Sequence, residues 1–318
     1  MDAETGAILA LQILALCSIV AALLAYLMRQ SRNATEEFEM RCKRHVLVTS
    51  CETGVGLQIA LALTEAGYKV FAGWREPNGN SASMKILRAL ELRREMEKDP
   101  SCPAACEKPD GPSPGPIVPV ELDPTREDSL HACLDAVRAK LPAGDDGLWA
   151  VIHTGGLALP GAIEKQTSSA WESMLRHNLV APLRTARTFI PLLRAKRGRI
   201  ILLGDAETSY ATKAGTGLVA FSASRRAVEG AAEALRNELL ASGVDVVLLK
   251  PPPVNPLVLY APPILKTPDI EAGITSSEGT WTAPLPTYSI KNSLIPAITT
   301  PCPFNCYNMA VKPRLFCR

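Results

Sequence analysis

The chain has 318 residues, 47% of them hydrophobic and 21% charged, which is enough for one large domain or two small ones with a sizeable core. Its 34 basic and 32 acidic residues nearly cancel to a formal +2, so no global charge points to a nucleic-acid partner. The same composition excludes a disordered chain, a collagen and a disulfide miniprotein. Two averages hide local character. The apolar fraction is raised by one N-terminal run, and half of the 26 prolines lie after residue 250. The sequence therefore divides into an anchor (1–29), a charged linker (30–44), a core (45–255, with an insertion at about 77–116) and a Pro-rich C-terminal segment (256–318).

Ala7 to Met28 is an apolar run interrupted only by Gln12 and Ser18. At ~1.5 Å rise per residue it is long enough for a helix across a ~30 Å hydrocarbon layer. A cleaved secretory signal has a shorter apolar region behind a basic stretch. Here Asp2 and Glu4 precede the run, and Arg29, Arg32, Arg41, Lys43 and Arg44 follow it. The pattern predicts a retained transmembrane anchor with the following domain on the cytosolic side, as expected for the endoplasmic reticulum. Asn33-Ala34-Thr35 fits a glycosylation pattern by chance, because that side is never modified.

The nine cysteines are odd in number and scattered. Cys102/Cys106 and Cys302/Cys306 are each four apart with no histidine nearby, which is not zinc spacing. Reduced thiols and no metal site are expected.

From residue 45, short β-branched runs alternate with amphipathic helical stretches. His45–Thr49 reads as a buried strand, followed by a helix through Leu57–Glu65 that Gly67 ends. Further strands are expected at Tyr68–Ala72, Ile117–Leu122, Leu148–Ile152, Arg199–Leu203 and Val244–Leu249. A long charged helix is expected at 82–99, then a Pro/Gly surface loop at 100–116. This βαβ alternation predicts an α/β fold, a doubly wound parallel sheet of Rossmann type with helices on both faces.

After the first strand comes Thr49-Ser-Cys-Glu-Thr-Gly54-Val-Gly56, opening a helix. Small residues there admit a pyrophosphate, and the helix N-terminus supplies unpaired amides. In order behind it stand Trp149-Ala-Val-Ile-His-Thr-Gly-Gly156, Met174-Leu-Arg-His-Asn178, Gly198-Arg-Ile-Ile-Leu-Leu-Gly-Asp205 and Phe221-Ser-Ala-Ser-Arg225. Together these segments resemble the short-chain dehydrogenase/reductase family over about residues 45–255. Stretches such as Thr185–Arg194 resemble its steroid, retinol and 3-hydroxybutyrate dehydrogenase branch. The resemblance implies a nicotinamide cofactor and a lipophilic alcohol or ketone. It places Thr49, Gly54, Gly56, Asp123, Gly155 and Arg225 along the cofactor. Arg75, at the end of the second strand, suits the 2′-phosphate of NADP over NAD, with Glu76 beside it weakening that preference.

The departures from the family pattern bear on chemistry. Ser50 replaces a turn glycine and brings a β-carbon into that turn. His153-Thr-Gly-Gly156 replaces the cofactor-supporting Asn-Asn-Ala-Gly, and His153 reads as a structural histidine before it reads as a base. At the reaction centre the tyrosine position is Phe221, the lysine position Arg225 and the serine position Asp205 or Gly204. Only the asparagine survives, as Asn178. Phenylalanine has no proton to exchange, arginine does not shuttle one, and a carboxylate beside a developing alkoxide has the wrong sign. A register shift would offer Tyr210 as the phenol, with Thr208 or Ser209 as the hydroxyl and Lys213 nearby. However, Phe221–Arg225 keeps the right four-residue spacing at a helix start.

Lys250-Pro-Pro-Pro-Val-Asn255 replaces the family's Pro-Gly segment, and residues 256–318 lack an amphipathic period where a substrate lid is expected. The helix from Arg225 to Leu239 carries small residues that suit a homodimer face or ordinary packing on the sheet. Two functions are open. One is a membrane-anchored family member with lost or reduced turnover that retains nucleotide or lipophilic-ligand binding. The other is an active NADP(H)- or NAD(H)-dependent oxidoreductase on a steroid, retinoid or related lipid.

Overall fold

The computed structural model describes residues 16, 19, 20, 22–24, 26–29, 41–98, 114–206, 217–265 and 281–310. Most of the anchor run lies outside the described residues, as do Asn33–Thr35, most of the 100–116 loop, and Thr208, Ser209, Tyr210 and Lys213. The chain divides into two units, Met1–Lys43 and Arg44–Arg318. In the first, the described residues between Leu16 and Arg29 are helical, and Leu16, Ile19, Leu23 and Leu27 are exposed. No helix among the described residues is long and apolar enough to cross a membrane.

The second unit is built on a parallel sheet. Its strands are β1 (His45–Val48), β2 (Lys69–Trp74), β3 (Ile117–Glu121), β4 (Ala150–His153), β5 (Arg199–Leu203), β6 (Asp245–Lys250) and β7 (Cys306–Asn308). They lie in the order β3-β2-β1-β4-β5-β6-β7, each pair parallel. The order reverses between β1 and β4, and ligands of open α/β sheets bind at that crevice. Between the strands run α1 (Gly54–Glu65), α2 (Ala82–Lys98), α3 (Glu127–Lys140), α4 (Ser168–Leu175), α5 (Ala181–Lys196) and α6 (Val219–Leu239). A π-helical turn, Arg176–Val180, joins α4 to α5.

Alternation along the strands fills both faces. Val46, Val48, Ile201, Leu203, Val247 and Leu249 join Val55, Leu57 and Ile59 of α1 in one core. Leu47, Ile200, Leu202, Val246 and Leu248 join Leu130 and Val137 of α3 and Phe189 and Leu193 of α5 in the other. Each such side chain taken fully out of water contributes ~1.5–3 kcal/mol, so the two-sided burial explains why these strands read as unbroken apolar runs. Helix α1 starts at Thr53, whose hydroxyl oxygen accepts the Gly56 amide at 3.2 Å, and stops at Gly67 with φ of 93°.

The C-terminal segment is more ordered than its sequence suggests. Asn255 caps α7 (Pro256–Leu259) by accepting the Leu257 amide at 3.0 Å. Thr287–Ser289, a π-helical turn Ile290–Leu294 and Ile295–Thr299 form a helical run, and β7 extends the sheet beside β6. Ile290, Leu294, Ala297 and Ile298 are buried in the same core as α1. These described residues show regular elements where the sequence shows no amphipathic period. Its period is broken by the π-turn and by Pro286 and Pro296, while its apolar residues still pack.

Candidate active site

The glycine-rich turn joins β1 to α1 at the crevice. Thr49 is buried and ties the ends of β1 and β4 together. Its hydroxyl oxygen accepts the Thr154 amide at 3.1 Å, and the Thr154 hydroxyl donates to the Thr49 carbonyl. The chain then turns at Ser50 with φ of 53°, the left-handed conformation that favours glycine. Gly56 is packed against the Ser50 carbonyl and the Thr154 hydroxyl, leaving no room for a side chain there.

A pyrophosphate at this turn would take the unpaired amides at the start of α1. The Gly54 amide instead donates to the Ala261 carbonyl at 2.8 Å. The Pro284 ring lies 3.3 Å from where a Gly54 β-carbon would stand. Gln58, one turn on, pairs with the backbone of Leu285 in both directions: Nε2 donates to its carbonyl at 2.6 Å and Oε1 accepts its amide at 3.0 Å.

At the reaction centre, Phe221 and Arg225 open α6 and are both buried. The Arg225 guanidinium donates to the carbonyls of Gly155 at 3.0 Å and Leu203 at 3.3 Å. It lies 4.5 Å from the ring centroid of Tyr260 and 5.7 Å from that of Phe221. The two rings are tilted against each other at 6.1 Å. Burial pushes the Tyr260 phenol above its ordinary value, and Arg225 pulls it partly back. Arg225 and Tyr260 also crowd the backbone of Gly156.

Asp205 is buried, but its charge is not free. Ser222 donates to Oδ2 at 2.9 Å, the Ala206 amide to Oδ1 at 2.9 Å, and Arg226 Nε stands 3.5 Å from Oδ2. The expected wrong-sign charge is therefore paired on the protein side. Asn178, on the π-turn, is fully buried and fully engaged. Its Nδ2 donates to the Leu157 carbonyl at 2.8 Å and to Ser224 Oγ at 2.9 Å, while Oδ1 accepts the Leu157 amide at 2.8 Å. Both amide hydrogens are spent inside the protein.

His153 ends β4 with 2% exposure. Thr185 Oγ1 donates to the Ala181 carbonyl at 2.8 Å, so its contact with His153 Nδ1 at 3.3 Å requires the imidazole to donate. That leaves Nε2 as a buried lone pair without a partner. Burial first, then the Arg225 charge, push the His153 pKa down to about 3. The ring is neutral at any ordinary pH and is a poor base.

At the adenine end, Arg75 Nε faces Glu52 Oε1 at 3.4 Å, so its fork is turned toward the chain's own carboxylate. Burial raises the Glu52 pKa, against the attraction of Arg75. Asp123 Oδ1 accepts the Thr125 amide at 2.9 Å and the Thr125 hydroxyl at 2.7 Å, a turn leading into α3. A hollow of about 820 Å³ opens beyond Arg75 and Asp123, among Glu76, Glu121, Arg126 and Asp128.

The structure thus gathers the expected residues at one crevice, with Thr49, Gly54, Gly56 and Gly155 toward the sheet and Asn178, Asp205, Phe221 and Arg225 around the reaction centre. A dinucleotide does not fit this crevice as it stands. Between Ser50, Thr53, His153, Gly155 and Gly156 the remaining cavity is about 20 Å³, little more than one water needs. The sequence reading missed the residues that fill it, Tyr260, Ala261 and Pro284, together with the clamp Gln58. Only the Asn255-Pro256 helix start signalled order in that stretch.

The short chain dehydrogenase family model matches residues 44–259. The chain belongs to the short-chain dehydrogenase/reductase family. It is 23% identical over 220 residues to mitochondrial D-beta-hydroxybutyrate dehydrogenase of Rattus norvegicus, covering 69% of this chain and 57% of that enzyme. It is 24% identical over 209 residues to retinol dehydrogenase 7 of Rattus norvegicus, covering 65% of this chain and 56% of the relative. The chain thus spans little more than half the length of these curated relatives. Among solved structures, a short-chain dehydrogenase/reductase from Burkholderia xenovorans superposes with a TM-score of 0.53 at 19% identity, over 67% of this chain and 75% of that one. This likeness shows the fold, a Rossmann-type sheet. Relatives of the hydroxybutyrate and retinol dehydrogenase type place the chain in the steroid/retinol branch.

Proposed function

We propose that this protein is a membrane-anchored member of the family whose dehydrogenase turnover is lost or much reduced, and which acts by binding. The observation that carries the reading is the Phe221–Arg225–Tyr260 cluster. At the family's proton-transfer position stands a ring with no exchangeable proton, backed by a cation that bonds backbone carbonyls. General acid–base catalysis contributes ~10²–10⁴-fold to enzymic rates, and its loss leaves at most slow residual hydride transfer. The apolar run Ala7–Met28 supports the anchor, and its basic flank supports a cytosolic domain at the endoplasmic reticulum. A lipophilic ligand is supported by the names of the relatives. NADP over NAD rests on Arg75, and the Glu52 contact weakens that preference. A homodimer through α6 rests on its small residues alone.

Turnover of steroid, retinoid and hydroxy-acid panels with NADPH and NADH tests the reading. An inert parent that gains activity in Phe221→Tyr/Arg225→Lys supports it. Turnover in the parent that disappears in Asn178→Ala would sink it. One observation favours the second reading, an active lipid oxidoreductase: Tyr260 sets a phenol beside Arg225, a phenol–cation pair supplied from outside α6. Under that reading Tyr260→Phe abolishes turnover.

A further inference from the structure

We infer that the C-terminal stretches Asn255–Leu265 and Trp281–Leu285 act as a built-in occupant of the dinucleotide cleft, so that a nicotinamide dinucleotide binds only the fraction of molecules in which they are displaced. Tyr260 and Ala261 are consecutive, and they cover the two parts of the cleft in turn. The Tyr260 ring stacks on the Arg225 guanidinium at the reaction centre, and the Ala261 carbonyl takes the Gly54 amide at the head of α1. The occupant therefore satisfies the same donor that a pyrophosphate oxygen would satisfy, and it places a planar ring where the cofactor's reactive end belongs.

Leu259, Tyr260 and Leu285 of the two stretches are buried in the same core as α1, and four polar or close contacts fix their position. Leu265 bridges to Trp281 in antiparallel sense. Pro284 rests on Gly54, and Gln58 clamps Leu285 with two hydrogen bonds. The end of the C-terminal region is fastened separately at the opposite, N-terminal edge of the strands. There Trp149 Nε1 donates to the Ile298 carbonyl at 2.9 Å, and Arg199 donates to the carbonyls of Ala297 at 2.8 Å and Thr300 at 3.0 Å. The strap can leave while β7 and the helical run stay docked. The hollow beyond Arg75 and Asp123 remains open, so an entering dinucleotide meets the protein adenine end first and must displace the strap to seat its pyrophosphate.

The test uses the full chain, with NADPH and NADH as probes. Amide hydrogen exchange of the wild type without nucleotide should show a protected Gly54 amide; an unprotected one overturns the inference outright. Titration by tryptophan-to-nucleotide energy transfer should show an apparent Kd lowered by at least about tenfold in Gln58→Ala/Pro284→Gly, because freeing the clamp raises the competent fraction. A variant that still melts cooperatively yet binds no tighter than wild type overturns it. Where the wild type binds, saturation should raise exchange across Leu257–Leu265, and unchanged exchange there argues the cleft was open all along. Turnover is read separately: catalysis that survives Tyr260→Phe refutes the proposed loss of chemistry alone, whereas catalysis that needs the Tyr260 phenol overturns the strap as well.

Discussion

The guanidinium of Arg225 stands 4.5 Å from the ring centroid of Tyr260, and both side chains are buried. Neither was paired with the other by sequence position, since one opens α6 and the other follows α7. Among the described residues no carboxylate forms a salt bridge with Arg225. Its charge is met by two carbonyls and by the faces of Tyr260 and Phe221. Cation–π contacts contribute ~0.5–2 kcal/mol according to how dry they are, so this stack holds the strap and the charge together.

Tyr260→Ala is therefore predicted to lower stability by about 3–5 kcal/mol, the usual cost of deleting a large buried ring. Tyr260→Phe keeps the face on Arg225 and loses only the hydroxyl, for about 1 kcal/mol. Denaturant melts of the two variants check this. Equal losses would show that the hydroxyl, and not the ring face, carries the contact.

Ser50→Gly is predicted to raise stability by about 1 kcal/mol. A non-glycine residue held at φ of 53° carries ~1–3 kcal/mol of backbone strain, of which glycine's larger unfolded-state entropy takes back ~0.5–1. Ser50→Val should destabilise, since a β-branched residue tolerates the left-handed region least. Melting curves for both variants check the pair of signs.

Much of this was legible in the sequence because β1, β4, β5 and β6 are buried on both faces and read as largely apolar runs, with glycines soon after β4 and β5. The parallel sheet followed from the βαβ alternation, and the addresses of Asn178, Asp205, Phe221 and Arg225 came from the family resemblance. What the sequence hid was where polar atoms are spent. Nothing in the letters of Asn178 shows that its amide is consumed by Leu157 and Ser224, or that Arg226 pairs with Asp205. The strap was hidden for a different reason. Its key donor–acceptor pair joins the Gly54 amide to the Ala261 carbonyl, and backbone groups carry no residue signature.

Stability should fall on acidification through His153. Its folded pKa, about 3, lies below the ordinary histidine value of 6.5. The unfolded chain therefore takes up the proton first as pH drops. The histidine's contribution is intact above about 6.5 and is lost between there and about 3, at up to ~1.4 kcal/mol per pH unit. His153→Asn removes the titrating group, so its unfolding midpoint should fall less steeply over that window. Parallel profiles for wild type and variant would show that His153 does not drive the acid loss.

Arg199→Met tests the far fastening of the C-terminal region. Arg199 is buried at the start of β5, over the ring of Trp149, with its hydrogen bonds directed to Ala297 and Thr300. Replacing it with an apolar side chain of similar length relieves the burial of a charge but leaves two carbonyls without their donor. Each hydrogen bond to a charged group is worth ~1.5–3 kcal/mol, so a net loss of about 3 kcal/mol is expected after that relief. The loss should be local. Exchange of amides in Ile295–Thr299 and β7 should rise well before that of β1 or β4, because those strands do not depend on this contact. A uniform rise across the sheet would mean instead that the C-terminal region and the central strands unfold as one cooperative unit.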